Sequence, residues 1–320
     1  MTGQYQITVQ NRRLRYKFTI SRNFTILRGD SATGKTTLID MIRDYQLNGE
    51  NSGITLTCKK PCVVLTALNW QSSLEQIHDS IVFIDEGDNF VTSEDFASAA
   101  KCSDNYFVIA TRSSLFNLPY STAEIYGIRN TSGNRYQGTK RLYSVFYPLY
   151  KSQDTLPSKP EQVIVEDSNS GFEFFREVFH DFGIPCISAK GKSNVFQKVN
   201  DSPYQHILVI ADGAAFGPEI ERILSLRKKK DVSVYLPESF EWLILKSDLL
   251  QHRNVREILE NPADYIESRD YFSWEKFFTA LLVHESQGSY LKYQKHSLNP
   301  NYLNAHERAS ILAQSPLSME

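Results

Sequence analysis

The chain has no apolar run of about 18 residues, the length a membrane-spanning helix needs, and no basic-then-apolar leader at its start. Neither membrane spanning nor export is therefore expected, and a cytoplasmic location is. Cysteine is scarce, with only Cys58, Cys62, Cys102 and Cys186 in 320 residues. So few thiols in so long a chain exclude a disulfide framework. Cys58-Lys59-Lys60-Pro61-Cys62 is spaced as some zinc ligands are, but no second pair or histidine cluster completes a tetrahedron. Reduced, partly buried thiols are expected. An excess of one charge is also missing: 35 Lys+Arg stand against 37 Asp+Glu, a net charge of −2. General attraction to nucleic acid is thereby excluded, and any such binding needs a local patch. His252, His284, His296 and His306 show no nucleophile or ligand spacing.

What is present is an ordinary globular composition, 41% apolar and 22% charged, with length for about two domains. Phe24-Thr25-Ile26-Leu27-Arg28 reads as a buried strand running into Gly29-Asp30-Ser31-Ala32-Thr33-Gly34-Lys35-Thr36-Thr37. This is the pattern of a phosphate-binding loop. Gly29 and Gly34 allow the tight turn and the close approach of backbone N–H groups to phosphate. Lys35 supplies charge to the β- and γ-phosphates, and Thr36 a hydroxyl to Mg²⁺, at the N-terminus of a helix whose dipole favours the anion. Leu38, Ile39, Met41 and Ile42 form that helix's apolar side.

Ser80-Ile81-Val82-Phe83-Ile84 is a continuous apolar run, as in a strand buried on both faces. It ends in Asp85-Glu86, the pattern of a Walker B segment. Asp85 is expected to hold Mg²⁺ and Glu86 to orient the attacking water. Tyr106-Phe107-Val108-Ile109-Ala110 is a third such strand, ending in Thr111, a candidate γ-phosphate sensor, and Arg112, a weaker one. A base-reading Asn/Thr-Lys-x-Asp motif is lacking, so ATP rather than GTP is expected. Gln4 to Gln10 and Leu14 to Ile20 alternate polar and apolar residues around Asn11-Arg12-Arg13, which predicts a β-hairpin. A hairpin before the phosphate loop resembles ATPases of the ABC and overcoming-lysogenisation-defect type, although no LSGGQ-like segment lies between Gly34 and Asp85.

From Tyr150 to Glu161 the sequence becomes polar and proline-containing. The expected division is a P-loop ATPase domain over 1–150, a linker over 151–161, an α/β domain over 162–265 and a helical C-terminal segment over 266–320. Strands are predicted at Gln162 to Val165, Ile184 to Ile187, Ile207 to Ala211 and Val232 to Leu236. Helices are predicted at Phe172 to Phe182, with Phe172, Phe175, Val178, Phe179 and Phe182 on one face, and at Pro218 to Lys229. Strands alternating with helices imply a parallel sheet. Two strands end in acids, Glu166-Asp167 and Asp212; if those strands are neighbours, the acids share a crevice at their carboxyl ends, where hard oxygen ligands suit Mg²⁺.

Glu166, Ala211-Asp212-Gly213-Ala214-Ala215-Phe216-Gly217 and Leu236-Pro237-Glu238-Ser239-Phe240-Glu241 together resemble the Toprim fold of topoisomerases, primases and overcoming-lysogenisation-defect nucleases. The resemblance covers roughly residues 162 to 250. It implies a metal site on Glu166, Asp212, Glu238 and Glu241, with Asp167 able to contribute, and catalytic roles for Glu166 and Asp212. Alanine stands at Ala214, where that group carries the second aspartate of an Asp-x-Asp. The architecture implied is a P-loop NTPase domain followed by a Toprim-like Rossmannoid parallel-sheet domain and a helical tail.

Two functional readings follow. In one, MgATP on the first domain controls a Toprim-like effector acting on DNA or RNA, as in phage-defence ATPase-nucleases. In the other, ATP organises a homo-oligomer or a separate protein partner, and the Toprim-like half is catalytically silent. Arg222, Arg227, Lys228, Lys229 and Lys230, together with Lys190-Gly191-Lys192 and the stretch Arg135 to Arg141, are the basic groups that could meet phosphates; a solvated helix end is the plainer account of the first five. Tyr271, Phe272, Trp274, Phe277, Phe278, Leu281 and Leu282 read as core.

Overall fold

A computed structural model describes residues 1–30, 33–131, 141–150, 159–250 and 253–317. The loop residues Ser31 and Ala32, most of the basic stretch from Arg135, most of the expected linker and His252 lie outside the described residues. The chain divides into two compact units, Met1–Lys151 with Pro262–Phe272, and Ser152–Asn261 with Ser273–Glu320. The segment that follows the second sheet thus returns to the first unit before the remaining helices join the second.

The first unit is built on β1 (Tyr5–Gln10), β2 (Leu14–Ile20), β3 (Phe24–Leu27), α1 (Lys35–Asn48), β4 (Thr55–Thr57), β5 (Cys62–Val64), α2 (Trp70–Leu74), β6 (Ile81–Ile84), α3 (Glu94–Lys101), β7 (Tyr106–Ala110), β8 (Ile125–Asn130) and β9 (Leu142–Pro148). Its nine-stranded sheet runs β4-β1-β2-β9-β8-β3-β7-β6-β5. The β1–β2 hairpin is antiparallel, as its alternation predicts, and pairs Tyr5 with Ile20 through to Gln10 with Arg15. From β8 through β3, β7 and β6 to β5 every pairing is parallel. The continuous apolar runs occupy that parallel stretch because both of its faces are covered: β3, β6 and β7 are buried throughout. Helix α1 buries Leu38, Ile39, Met41 and Ile42 and ends where Gly49 takes φ 55° and donates its N–H to the Tyr45 carbonyl.

The second unit contains β10 (Gln162–Val165), α4 (Ser170–His180), β11 (Cys186–Ser188), α5 (Lys192–Asp201), β12 (His206–Ile210), α6 (Ile220–Ser225), β13 (Asp231–Tyr235), α7 (Phe240–Lys246), α8 (Arg253–Glu260), α9 (Trp274–Glu285) and α10 (Ala305–Leu312). Its sheet is parallel throughout, in the order β11-β10-β12-β13. Strands β10 and β12 are neighbours, as the shared-crevice argument requires. Helix α5 has no counterpart in the sequence reading. Helix α4 buries Phe174, Phe175, Val178 and Phe179, whereas Phe172 is half-buried and Phe182 is 41% exposed. Phe182 leaves the buried face because α4 stops at His180 and the chain turns out through Gly183, at φ +66°. The predicted second helix is also shorter: α6 ends at Ser225 and a single 3₁₀ turn, Leu226–Lys228, follows. The aromatic stripe is split, with Trp274, Phe277, Phe278 and Leu282 buried on α9 of this unit. Among the described residues no helix is long and apolar enough to cross a membrane.

Candidate functional sites

In the first unit, the loop after β3 turns through Gly29 at φ +138° and Gly34 at φ +93°, both in backbone that favours glycine. Gly34 has a second constraint, since a Cβ there would stand 2.8 Å from the Tyr16 hydroxyl. That hydroxyl donates to the Gly34 carbonyl at 3.2 Å and ties β2 to the start of α1. No acidic residue belongs to the first turn of α1, and no side chain caps it.

Lys35 is buried to 4% exposure and folds its ammonium over the loop, donating to the carbonyls of Gly29 at 2.6 Å and Asp30 at 3.2 Å and to Thr33 Oγ1 at 3.4 Å. Thr36 Oγ1 donates to Asp85 Oδ1 at 3.4 Å, joining segments 49 residues apart in sequence. The same Asp85 oxygen accepts the Glu86 N–H at 2.8 Å. Glu86 lies between two cations: Oε2 is 3.7 Å from Lys35 Nζ, and Oε1 is ion-paired with Arg112 Nε. Strand topology produces this convergence, because β7 lies between β3 and β6 and the loop after β3, Asp85-Glu86 and Thr111-Arg112 all leave the same carboxyl edge. Thr111 is buried, but its hydroxyl is used in its own turn, donating to the Ser113 carbonyl and accepting the Ser113 N–H, each at 3.1 Å. Thr37 occupies the first turn of α1 beside Thr36.

In the second unit, Glu166 and Asp212 meet directly: the Asp212 N–H donates to Glu166 Oε2 at 3.0 Å, and the Glu166 N–H to the Ile210 carbonyl at 2.8 Å. Gly213 is needed immediately beside them. A Cβ there would stand 2.7 Å from the Leu236 carbonyl oxygen and 2.9 Å from that of Pro237, so only glycine lets the turn after β12 pass the end of β13. Ala214 is buried at 3% exposure and donates its N–H to the Glu238 carbonyl at 3.2 Å.

The other acids have distinct surroundings. Asp167 is occupied at the start of α4, where it accepts the N–H groups of Ser168, Asn169 and Gly171 at 2.7, 3.1 and 3.2 Å. Glu241 is buried on α7 and accepts the Tyr293 hydroxyl at 2.8 Å; that hydroxyl is in turn 2.7 Å from Ser170 Oγ. Glu238 is half-buried at the end of β13, next to Ser239, which caps α7.

Glu275 and Lys295, which the sequence reading did not name, and Lys192, which it named only as a basic group that could meet phosphates, complete this cluster. Glu275, on α9, and Lys295, in the chain beyond it, form an ion pair at 2.8 Å. Lys192 opens α5 and donates to the Ala215 carbonyl at 3.3 Å. Burial raises Glu166 to about 7, with Glu275 and Asp167 adding to the rise while the Asp212 N–H and Lys192 oppose it. Asp212 is raised well above the usual carboxylate range, first by burial and then by Glu275, Glu166, Glu241 and Asp167. Burial works against the charge of Lys295, but Glu275, then Glu241 and Asp212, hold its pKa above the ordinary lysine value. Burial lowers Lys192 against the pull of Glu166, Glu219 and Glu275. Crowded carboxylates and buried ammonium groups thus hold one another in place. Lys192 had a local signal, since it follows a strand end on the same edge. Glu275 and Lys295 had none, because they reach the cluster only by tertiary packing.

The hard oxygens of Thr36 and Asp85, and of Glu166 and Asp212, are the donor type that Mg²⁺ takes. Among the described residues no group of three or more His, Cys, Asp or Glu side chains is arranged to hold a metal ion. At the first site Thr36 and Asp85 supply two such oxygens. At the second, Glu166 and Asp212 supply two carboxylates and the lysines neutralise others. Most of the basic run is committed within the unit: Arg222 lies over the Phe196 ring at 4.7 Å, Arg227 donates to the Val232 carbonyl at 2.8 Å, and Lys230 to that of Val199 at 3.0 Å.

No protein-family model, curated protein or solved structure matches this chain.

Proposed function

We propose that the chain is an ATP-binding protein and an ATPase whose nucleotide state controls a Toprim-like effector unit acting on nucleic acid with Mg²⁺, a combination suited to phage defence. The observation that carries the ATP reading is the meeting of Lys35, Thr36, Asp85 and Glu86 at one sheet edge, with Thr36 and Asp85 at 3.4 Å across 49 residues of sequence. Backbone N–H groups from Gly29 to Thr37 would cradle the phosphates, and Lys35 would exchange its loop carbonyls for phosphate oxygens. Mg²⁺ would be held by Thr36 and Asp85, neutralising the developing charge on the phosphates. Glu86 would orient the attacking water once freed from Arg112, and hydrolysis would rest on positioning and electrostatics.

The effector reading is supported by Glu166 and Asp212 on adjacent parallel strands. A second reading, a silent effector in an ATP-dependent assembly module, is favoured by Ala214 and by the Lys295 ammonium already paired inside the acid cluster.

ATP binding is tested by calorimetry on the wild type and Lys35→Ala, and turnover on Glu86→Gln. Binding is expected to vanish in Lys35→Ala, whereas Glu86→Gln should retain binding and lose turnover; equal ATP affinity in wild type and Lys35→Ala would overturn the reading. Cleavage assays on plasmid, single-stranded DNA and tRNA, with Mg²⁺ or Mn²⁺ and with or without ATP, separate the two effector readings. Activity lost in Glu166→Ala supports the nuclease, and none in wild type supports the assembly module.

A further inference from the structure

One face of the first unit's sheet, across β4, β1, β2, β9 and β8, belongs to neither candidate site. Side chains alternate along these strands, and one set points into the core: Ile7, Val9, Tyr16, Phe18 and Ile20 are buried, and Phe18 stacks on Phe146 at 4.0 Å. The other set shares the opposite face and is exposed or half-buried. It comprises Arg15 and Lys17 on β2, Tyr143, Val145 and Tyr147 on β9, and Arg129 on β8. Beyond them β1 contributes only the neutral Gln6, Thr8 and Gln10. None of the five strands contains Asp or Glu. The face thus carries three positive charges and no negative charge from its own strands, a local patch on a chain whose net charge is −2.

Register interleaves these cations with aromatic rings. Arg15 pairs with Tyr143, and Lys17 and Arg129 stand on either side of Val145, two strand spacings or about 10 Å apart. The Arg15 guanidinium lies over the Tyr143 ring at 5.9 Å from its centroid, and that of Arg129 over the Tyr147 ring at 5.4 Å. Tyr147 pairs with Gly127, and its ring lies across β8 there. A Cβ on Gly127 would stand 2.6 Å from the ring's Cζ, so glycine at this position is what lets the ring rest on the sheet.

We propose that this face binds single-stranded nucleic acid, with phosphates at Arg15, Lys17 and Arg129 and bases against Tyr143 and Tyr147. Positive charge alone would suit any polyanion. The tyrosine rings and the guanidinium groups held beside them narrow the partner, because both are platforms on which unpaired bases stack. A duplex keeps its base faces inside its own stack and offers a flat sheet only phosphates. Acid-free strands remove the repulsion that a phosphate backbone would otherwise meet along this surface. The inference concerns the first unit alone and stands whether or not the second unit cuts nucleic acid or the phosphate loop holds ATP.

The test is fluorescence anisotropy of the full chain with labelled oligothymidylate, oligouridylate and a DNA duplex of the same length, in a chelator so that nothing is cut. Binding to a single strand is expected, with a log–log salt slope of about −2 for three contacted phosphates. Arg15→Gln and Arg129→Gln should each reduce that slope by about 0.7. Tyr143→Ala and Tyr147→Ala should each weaken binding by at least about fivefold, whereas Tyr147→Phe, which keeps the ring, should bind as the wild type does. Thermal unfolding of every variant separates lost contacts from lost fold, and the arginine variants and Tyr147→Phe test the face even if an alanine variant unfolds. Preference for one sugar identifies the nucleic acid and supports the proposal. Equal affinity for the duplex, wild-type affinity in all four weakened variants, or no binding to either single strand, whether or not phosphatidylserine vesicles bind instead, overturns it.

Discussion

Replacing Glu166 by glutamine should stabilise the metal-free protein at alkaline pH. The side chain keeps its size, and its amide oxygen can still accept the Asp212 N–H that now reaches Glu166 Oε2 at 3.0 Å. What it loses is a charge held in a buried, carboxylate-rich setting. The folded pKa of Glu166 lies at about 7, above its ordinary 4.5. A carboxyl raised in this way contributes stability that is fully present below pH 4.5 and is lost as pH rises through about 7. The displacement converts to roughly 3 kcal/mol. Glu166 keeps some contact with solvent, so about 1–3 kcal/mol is the expected gain of Glu166→Gln at pH 8, with little difference at pH 4.5. The assay is urea unfolding in the presence of a chelator at both pH values, and an accompanying rise in Tm of ~2–4 °C per kcal/mol is expected. Adding Mg²⁺ should reverse the order at pH 8 if the proposed site operates, because Glu166→Gln removes one of the two carboxylates, Glu166 and Asp212, proposed to hold the metal. A variant less stable than wild type at pH 8 without metal, or equally stabilised at both pH values, would refute the electrostatic account of this cluster.

Gly34→Ala should abolish nucleotide binding and cost roughly 1–3 kcal/mol, since φ +93° disfavours any Cβ and the new atom meets the Tyr16 hydroxyl at 2.8 Å. Adding Tyr16→Phe should restore part of the stability, as read by thermal unfolding, but not the binding; full recovery of both would show that the backbone angle is irrelevant. Ser239→Ala should lower stability by about 1 kcal/mol, because its side chain accepts the Trp242 N–H at 3.2 Å and caps α7. Ser239→Asp should retain the cap, so equal losses in the two variants by urea titration would count against this role.

Strands β3, β6 and β7 and the four strands of the second unit were legible as short apolar runs, the pattern of a strand covered on both faces, whereas β5 and β8, which also pair in parallel, were not predicted. Gly29 and Gly34 were equally legible, since few other residues tolerate the angles they adopt. Helix α5 was missed because Lys192–Asp201 buries only Val195 and Val199, too sparse an apolar face to stand out from a loop. The end of α4 was overrun because Phe182 continues the apolar spacing two residues beyond His180, where the helix ends.

Local order along the chain was enough to determine the phosphate-loop pattern, the acids at the strand ends and the alternation of strands with helices. Each depends on residues within a few positions of one another. Tertiary structure alone decided which strand ends share an edge, bringing Thr36 to Asp85 and Glu166 to Asp212. It also brought Glu275 and Lys295 to the acid cluster from beyond the sheet. The charges that most perturb Asp212 come from that long-range packing as much as from its neighbours, because burial and Coulomb interaction depend on distance in space and not on distance in sequence.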